Sequence, residues 1–471
     1  MTLAPPQAHQ PPQPPPPPPA APAPAAAPAS APVRRSVPGR IRIITGVTVA
    51  ALALLFTALA VGSATAREGL RVIGRDAGPQ VIVTAKLYLA LSDMDAQVAN
   101  VLVMGDQYAQ PRKEALERYD EQRSRANEAL MQALSLADTD AERATVKSVL
   151  DLLGRYDRLA GQALLLDEQS GHAPGPPPQN VVEAYRGATK LMRVELLPQA
   201  YNLTLESGTI VRATYDEKDV MVPLLRDAVV LAGLLALGCL IWLQIFLARR
   251  FRRVFGPALL VATVTTVIAL LSGMSVLGKD QDALRTAKLR GFDSVLTLAK
   301  ARSISNSMQG DQSRYLLDKD WADTYEHTFL DKAMTVVYFD AGNLRTYHQK
   351  VATGSTDFLG LLGPQLVGKQ GVDAHKAYRA FQAADARFRQ LVTSGRTNAA
   401  VAERLGPVTT AFDAYDRALL ELSARHQAEF TRAIESGEGA LDNLWRLLPF
   451  AIGGIGLLVI AGVWPRLKEY R

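Results

Sequence analysis

The sequence predicts an all-α membrane protein: four transmembrane helices carrying two extracytoplasmic antiparallel four-helix-bundle domains, internally duplicated. Three observations lead there. Four stretches are apolar and long enough to span: Ile43–Ala64, Ala228–Leu247, Val254–Leu277 and Leu447–Trp464. A helix rises about 1.5 Å per residue and a hydrocarbon layer is roughly 30 Å thick, so each stretch can cross. Clusters of basic residues flank them on one side. Arg34, Arg35, Arg40 and Arg42 precede the first, Arg249, Arg250, Arg252 and Arg253 join the second to the third, and Arg466, Lys468 and Arg471 follow the last. Finally, the two long segments between spans are charged and carry apolar residues at helical spacing.

The positive-inside rule places all three basic clusters in the cytoplasm, with both termini inside and both long segments outside. The expected division is a proline- and alanine-rich tail at 1–40, spans at 41–64, 226–248, 254–277 and 447–464, a basic hinge at 249–253, bundles at 65–222 and 278–446, and a short cytoplasmic end at 465–471.

In order along the chain, residues 1–33 hold 14 of the 28 prolines and cannot build a core. They read as a disordered, partly polyproline-II segment, either a solvated spacer or a ligand for a proline-binding module. Ala64-Thr65-Ala66 after the first apolar run also fits a signal-peptide cleavage site. The length of the run favours an uncleaved anchor.

The first outer segment reads as four helices. The first continues from about Arg67 to Met104, and the second runs from Pro111 to about Ala137. Thr139-Asp140-Ala141-Glu142 forms a capping box that starts the third. Asn180 is positioned to cap the fourth, which Pro198 should kink on its way back to the membrane. In the second outer segment, residues 334–369 are apolar and Gly-rich, and are expected to form a helix with a loop insertion. Val401, Leu405, Val408, Phe412, Tyr415 and Leu419 form a heptad seam, bent near Gly406-Pro407, that leads into the last span.

The halves align without a gap when displaced by 214 residues, Gly69–Asp106 lying on Ala283–Asp320. Leu70, Val81, Lys86, Met94 and Asp106, among others, meet identical residues. The first and third spans come close to register at the same offset, so the chain reads as two parallel repeats, a covalent pseudo-dimer.

Each unit, a span, an outer bundle and a span, resembles the four-helix-bundle sensor module of bacterial chemoreceptors and membrane histidine kinases. Gly78-Pro79-Gln80 and the run Leu87-Tyr88-Leu89-Ala90-Leu91-Ser92-Asp93-Met94 through Asn100 carry a closer likeness. This stretch resembles the actinobacterial four-span membrane proteins associated with a glutamine-binding lipoprotein and protein kinase G. That resemblance implies a relay of extracellular amino-acid status to a cytoplasmic kinase. The implied partners are the lipid bilayer, an extracytoplasmic amino-acid-binding lipoprotein and the kinase.

Chemistry-bearing motifs are missing from the sequence. There is no phosphate-binding glycine loop, no Glu-x-x-His pair and no nucleophile motif, and the six histidines are scattered. An enzyme is not expected, nor any cofactor or metal. The net charge of +6 comes partly from the membrane-flanking arginines and suits anionic lipid rather than nucleic acid. The single Cys239 lies in a span, so the outer segments have no disulfides. The candidate ligand-binding residues are the polar groups on the inner helical stripes: Asp95 and Asn100 in the first unit, and Arg302, Asn306 and Gln309 in the second, with Asp93 pointing outward. A buried polar layer of this kind suits a small zwitterion or a structural contact between bundles. His426 extends the heptad seam to the domain rim. Arg249, Arg250, Arg252 and Arg253 are the candidate docking residues for a cytoplasmic partner. A sensor relay is the first functional reading, and a structural or assembly scaffold of the cell envelope is the alternative. A transporter is disfavoured because the spans lack ionisable residues.

Overall fold

The computed structural model describes residues 37–137, 139–251, 256–354, 359–366 and 368–468. The proline-rich run, Arg252, Arg253 and Arg471 lie outside the described residues. Among those described, the chain is helical apart from a single β-bridge between Tyr338 and Leu359 and short connecting turns. Four continuous helical rods are long and apolar enough to cross a membrane: Gly39–Met104, Gln179–Arg249, Pro257–Leu317 and Thr397–Pro465.

Each rod is two α-helices joined by a widened π-helical segment. The first is α1 (Val37–Arg71) and α2 (Ala77–Met104), joined at Val72–Asp76. The helices α3 (Ala109–Leu136) and α4 (Asp140–Ser170) follow. The second rod joins α5 (Gln179–Leu191) to α6 (Leu197–Phe251) through Met192–Leu196. The third joins α7 (Pro257–Arg285) to α8 (Asp293–Leu317) through Thr286–Phe292. Then come α9 (Ala322–Val336), α10 (Leu344–Thr353) and α11 (Gly368–Thr393). The fourth rod joins α12 (Thr397–Glu403) to α13 (Thr409–Lys468) through Arg404–Val408.

Sequence explains most of the widened turns. Proline has no N–H to give the carbonyl four residues earlier. Pro79 and Pro198 each sit just past a π turn, and Pro407 sits inside one. Pro198 therefore widens the helix where the sequence suggested a kink. Gly78 fills the first of these turns because a Cβ there would stand 1.9 Å from the Ile73 carbonyl oxygen. Gly291, in the proline-free segment, lets α13 approach closely; a Cβ would meet the Phe430 Cβ at 2.6 Å.

Three large apolar cores lie among the described residues, with a small fourth around Val101, Met104 and Ala115. One joins the apolar halves of α1, α6, α7 and α13, from Ile41 to Val463. Leucine knobs fill glycine gaps there, Leu59 against Gly273 and Leu270 against Gly233, the small-residue packing that brings membrane helices together. Gln244 adds a polar tie, donating to the Leu259 carbonyl at 3.0 Å and to the Thr263 hydroxyl at 2.6 Å. The second core gathers α2 to α6, with Leu91, Val98, Leu153, Tyr156 and Tyr185 at its centre. The third gathers α8, α9, α10, α11 and the start of the fourth rod around Phe329, Tyr378, Phe381, Phe388 and Tyr415. The two upper bodies meet where α2 packs along α8.

The capping box at Thr139 forms, its hydroxyl accepting from the Glu142 N–H and its N–H donating to the Glu142 carboxylate. Asn180 does not cap α5. The helix starts one residue earlier, at Gln179, because Pro178 holds the extended backbone needed just before a helix. Residues 334–369 are more broken than a helix with an insertion. After Val336 the chain makes the Tyr338–Leu359 bridge, and the short α10 is pinned by the Tyr347 hydroxyl, 2.6 Å from that of Tyr378.

Candidate functional site

The contact between α2 and α8 is polar at its centre, and nearly everything there is buried. Residues Gln309, Gly310, Asp311, Gln312, Ser313 and Arg314 of α8 are all buried in one run, which a two-sided helix cannot do without a second body against it. Two clusters make up the seam.

The first is centred on Asp95 and Arg314, each 1% exposed. The Asp95 carboxylate accepts from the Tyr156 hydroxyl at 3.1 Å, the Thr189 hydroxyl at 2.8 Å and the Arg314 guanidinium. Arg314 also donates to the Tyr185 hydroxyl at 3.1 Å and to Asp311 at 2.5 Å. Asp311 in turn accepts from Lys332. Two carboxylates thus alternate with two cations across the two bodies. Burial works against the charge on Arg314, but Tyr185, Asp95 and Asp311 outweigh it and hold its pKa well above the ordinary value. Burial would raise Asp311, yet Lys332, Arg314 and Arg193 keep it below the usual carboxylate range. Lys332 ends at about 8, pulled down first by burial and further by Arg314, with Asp311 opposing.

The second cluster is centred on Asn100. Its side-chain oxygen accepts from Ser313 at 2.6 Å and from Arg404 at 2.8 Å, and its amide donates to Gln97 at 3.2 Å. Arg404 is fully buried within the widened turn that opens α13. It also donates to the Gln309 carbonyl at 2.9 Å and to Thr409 at 3.1 Å, but no carboxylate reaches it among the described residues. Burial therefore lowers it to about 10, with Asp385 and Asp413 opposing. At the rim, Arg186 grips Asp318 with two bonds, 2.7 and 2.6 Å, and reaches Asp320 at 2.9 Å.

Of the sequence candidates, Asp95, Asn100 and Gln309 come together in this seam, Gln309 through its backbone. Arg302 and Asn306 stand closer to the spans. Arg302 is held by Asp416 on α13 in a forked pair at 2.7 and 2.8 Å, and Asn306 donates back to the Arg302 carbonyl at 3.2 Å. Asp93 is half-buried rather than outward-facing; burial raises it to about 6, opposed by its bond from Gln97 at 2.8 Å. His426 bonds the Arg290 carbonyl at 2.8 Å, at the level of the third π turn. Arg249 and Arg250 close α6. Sequence reasoning missed Arg314, Asp311, Lys332 and Arg404. The available signal was the alignment of the two halves at an offset of 214 residues, which lays Asn100 on Arg314 and so sets a polar position against a charged one.

These positions acquire a context from known families. Residues 69–216 match the model of the actinobacterial sensor domain family. No curated protein and no solved structure matches the chain. The matched segment runs from the last residues of α1 into α6, and it contains Asp95 and Asn100 but neither Arg314 nor Arg404. The match and the four membrane-length helices together support a sensor protein of the actinobacterial type, crossing a membrane several times.

Proposed function

We propose that this chain is a non-enzymatic membrane relay. It passes the status of an extracytoplasmic amino acid, or of a lipoprotein that binds one, to a cytoplasmic signalling partner such as a protein kinase. The two upper bodies lie outside, and both termini and the arginine hinge 249–253 lie inside. One observation carries the reading: the seam and the spans share the same rods. Asp95 and Asn100 stand on the helix that runs down into α1, and Arg314 on the helix that runs down into α7. A shift of α2 against α8 therefore reaches the membrane through continuous helix, across the π turns at Val72–Asp76 and Thr286–Phe292.

The two bodies are further read as duplicated units. The π turns support this. They start at 72 and 286, the sequence offset of 214 residues, and at 192 and 404, within two residues of it.

Asn100→Ala tests the relay. It removes the acceptor shared by Ser313 and Arg404 while leaving the Asp95 cluster whole. The variant is expected to insert and accumulate normally, and to lose most of the cytoplasmic phosphorylation response to added external amino acid. A folded variant with an undiminished response would favour an envelope scaffold instead.

A further inference from the structure

Between the seam and the spans, α2, α6 and α8 enclose a cleft of about 450 Å³, within the range of small-molecule sites. Its floor and walls include Tyr88, Tyr201, Phe292, Leu296 and Ile304. Tyr88 and Tyr201 meet edge to face at 6.1 Å, and burial raises the pKa of Tyr88, so its hydroxyl stays a neutral donor. Thr297 adds a hydroxyl, while those of Thr204 and Ser303 donate back to the Ala200 and Ala299 carbonyls.

The charges lining the cleft do not cancel. Lys288 is held by both oxygens of Asp293 at 2.5 and 2.6 Å. That leaves Arg212 and Lys300. Lys300 touches only the Tyr201 hydroxyl at 3.2 Å and that ring's face at 5.2 Å, and neither cation meets a carboxylate among the described residues. Two exposed cations over an aromatic and hydroxyl-bearing wall form an environment for a carboxylate with an apolar or planar body.

The opposite side of the same helix crossing supplies a contrast. A cleft of about 410 Å³ there uses the matching faces of the two units, with Lys86 where the first has Lys300, and with Ala299 and Ala85 shared. No tyrosine lines it, and its Arg302 is already neutralised by Asp416. The same geometry thus carries an uncompensated cation pair on one side and a single lysine on the other.

We infer that the cleft lined by Tyr88, Tyr201, Arg212 and Lys300 binds a small organic carboxylate, and that its counterpart around Lys86 does not. A ligand there bridges α6 to α8 directly above the third π turn, so its binding draws the two units together. The inference deepens the relay reading and rests on it for its purpose, but binding is measurable on the protein alone.

The test uses the full chain in lipid nanodiscs, titrated by calorimetry with benzoate and succinate, each beside its uncharged amide, and with inorganic phosphate. At least one carboxylate should bind while its amide does not. The double variant Arg212→Met/Lys300→Met should weaken that binding at least tenfold, and Lys86→Met should leave it unchanged. Both target side chains are exposed, so the variants are expected to fold. The cleft assignment is overturned if neither carboxylate binds, if phosphate binds as well as the carboxylates, or if the double variant binds like the parent. Carboxylate binding in a chain whose cells show no response to external amino acid would count against the relay and leave the cleft standing.

Discussion

Asp95→Ala is expected to cost about 3–5 kcal/mol of stability, the penalty for a buried cation left uncompensated, because Asp311 must then serve both Arg314 and Lys332. Arg314 is 1% exposed and cannot turn to water. Losing Asp95 also strands the Tyr156 and Thr189 hydroxyls, each at the cost of an unmade buried hydrogen bond. Asp95→Asn should cost less, because the amide oxygen still accepts while the charge is lost. The double variant Asp95→Leu/Arg314→Met should recover most of the loss. Replacing a buried ion pair by apolar groups of similar size removes both desolvation penalties at once. Asp311 keeps Lys332 in that variant and is not left bare. Denaturant unfolding in mild detergent checks all three. An Asp95→Ala midpoint equal to that of the parent would show that the seam does not hold the bodies together.

The second large effect runs in the opposite direction. Asp280→Asn is expected to stabilise the protein at pH 8 by about 2–4 kcal/mol and to do almost nothing at pH 4. Asp280 lies three residues beyond the third apolar stretch. It is fully buried, and neither carboxylate oxygen has a hydrogen-bond partner among the described residues. Burial alone raises its pKa from 3.8 to about 7. Between those values the folded chain holds a proton that the unfolded chain has released. Stability therefore falls as pH rises through that window, and the deficit is complete above about pH 7. Asparagine keeps the shape and removes the charge, so the variant's profile should be flat where the parent's declines. Melting temperature followed from pH 4 to 8 decides it. Parallel profiles would mean that Asp280 finds a partner when ionised; Arg226, 4.0 Å from the Cβ position of Gly278, is one candidate.

What could be read from the residues, and what could not, follows the range of the interactions. The spans were legible because twenty uncharged residues in a row are a local fact. The same holds for the Thr139 capping box and the apolar stripes of α3 and α4, where a helix's own periodicity reports its buried face. Pro198 and Pro407 marked two of the four widened turns; Pro79 stands beside a third, within a helix that read as unbroken, and the fourth, at Thr286–Phe292, has no such marker. The seam is the clearest failure. Of Gln309 to Arg314, Gln309 alone stood on an inner stripe; Asp311, Gln312 and Arg314 read as solvated, since such residues are seldom buried unless paired. Only the second body, far away in sequence, makes them interior. Arg302 shows the converse: it stood on an inner stripe, but its partner Asp416 lies more than a hundred residues on, so its neutralisation could not be seen. Residues 334–369 resisted phasing because α10 is too short to show a period, and its anchor is the Tyr347–Tyr378 contact rather than a stripe.

The central claim is that both helical bodies face outward and feed spans whose basic hinge faces the cytoplasm. Single cysteines at Gln169, Thr353 and Phe251, each in a Cys239→Ser background, test it on intact cells with a membrane-impermeant thiol reagent. Gln169→Cys at the end of α4 and Thr353→Cys at the end of α10 are exposed on the upper bodies and should be labelled. Phe251→Cys, at the end of α6 beside the arginines, should be labelled only after the cells are opened. Labelling of position 251 from outside, or protection of both 169 and 353, would contradict the account.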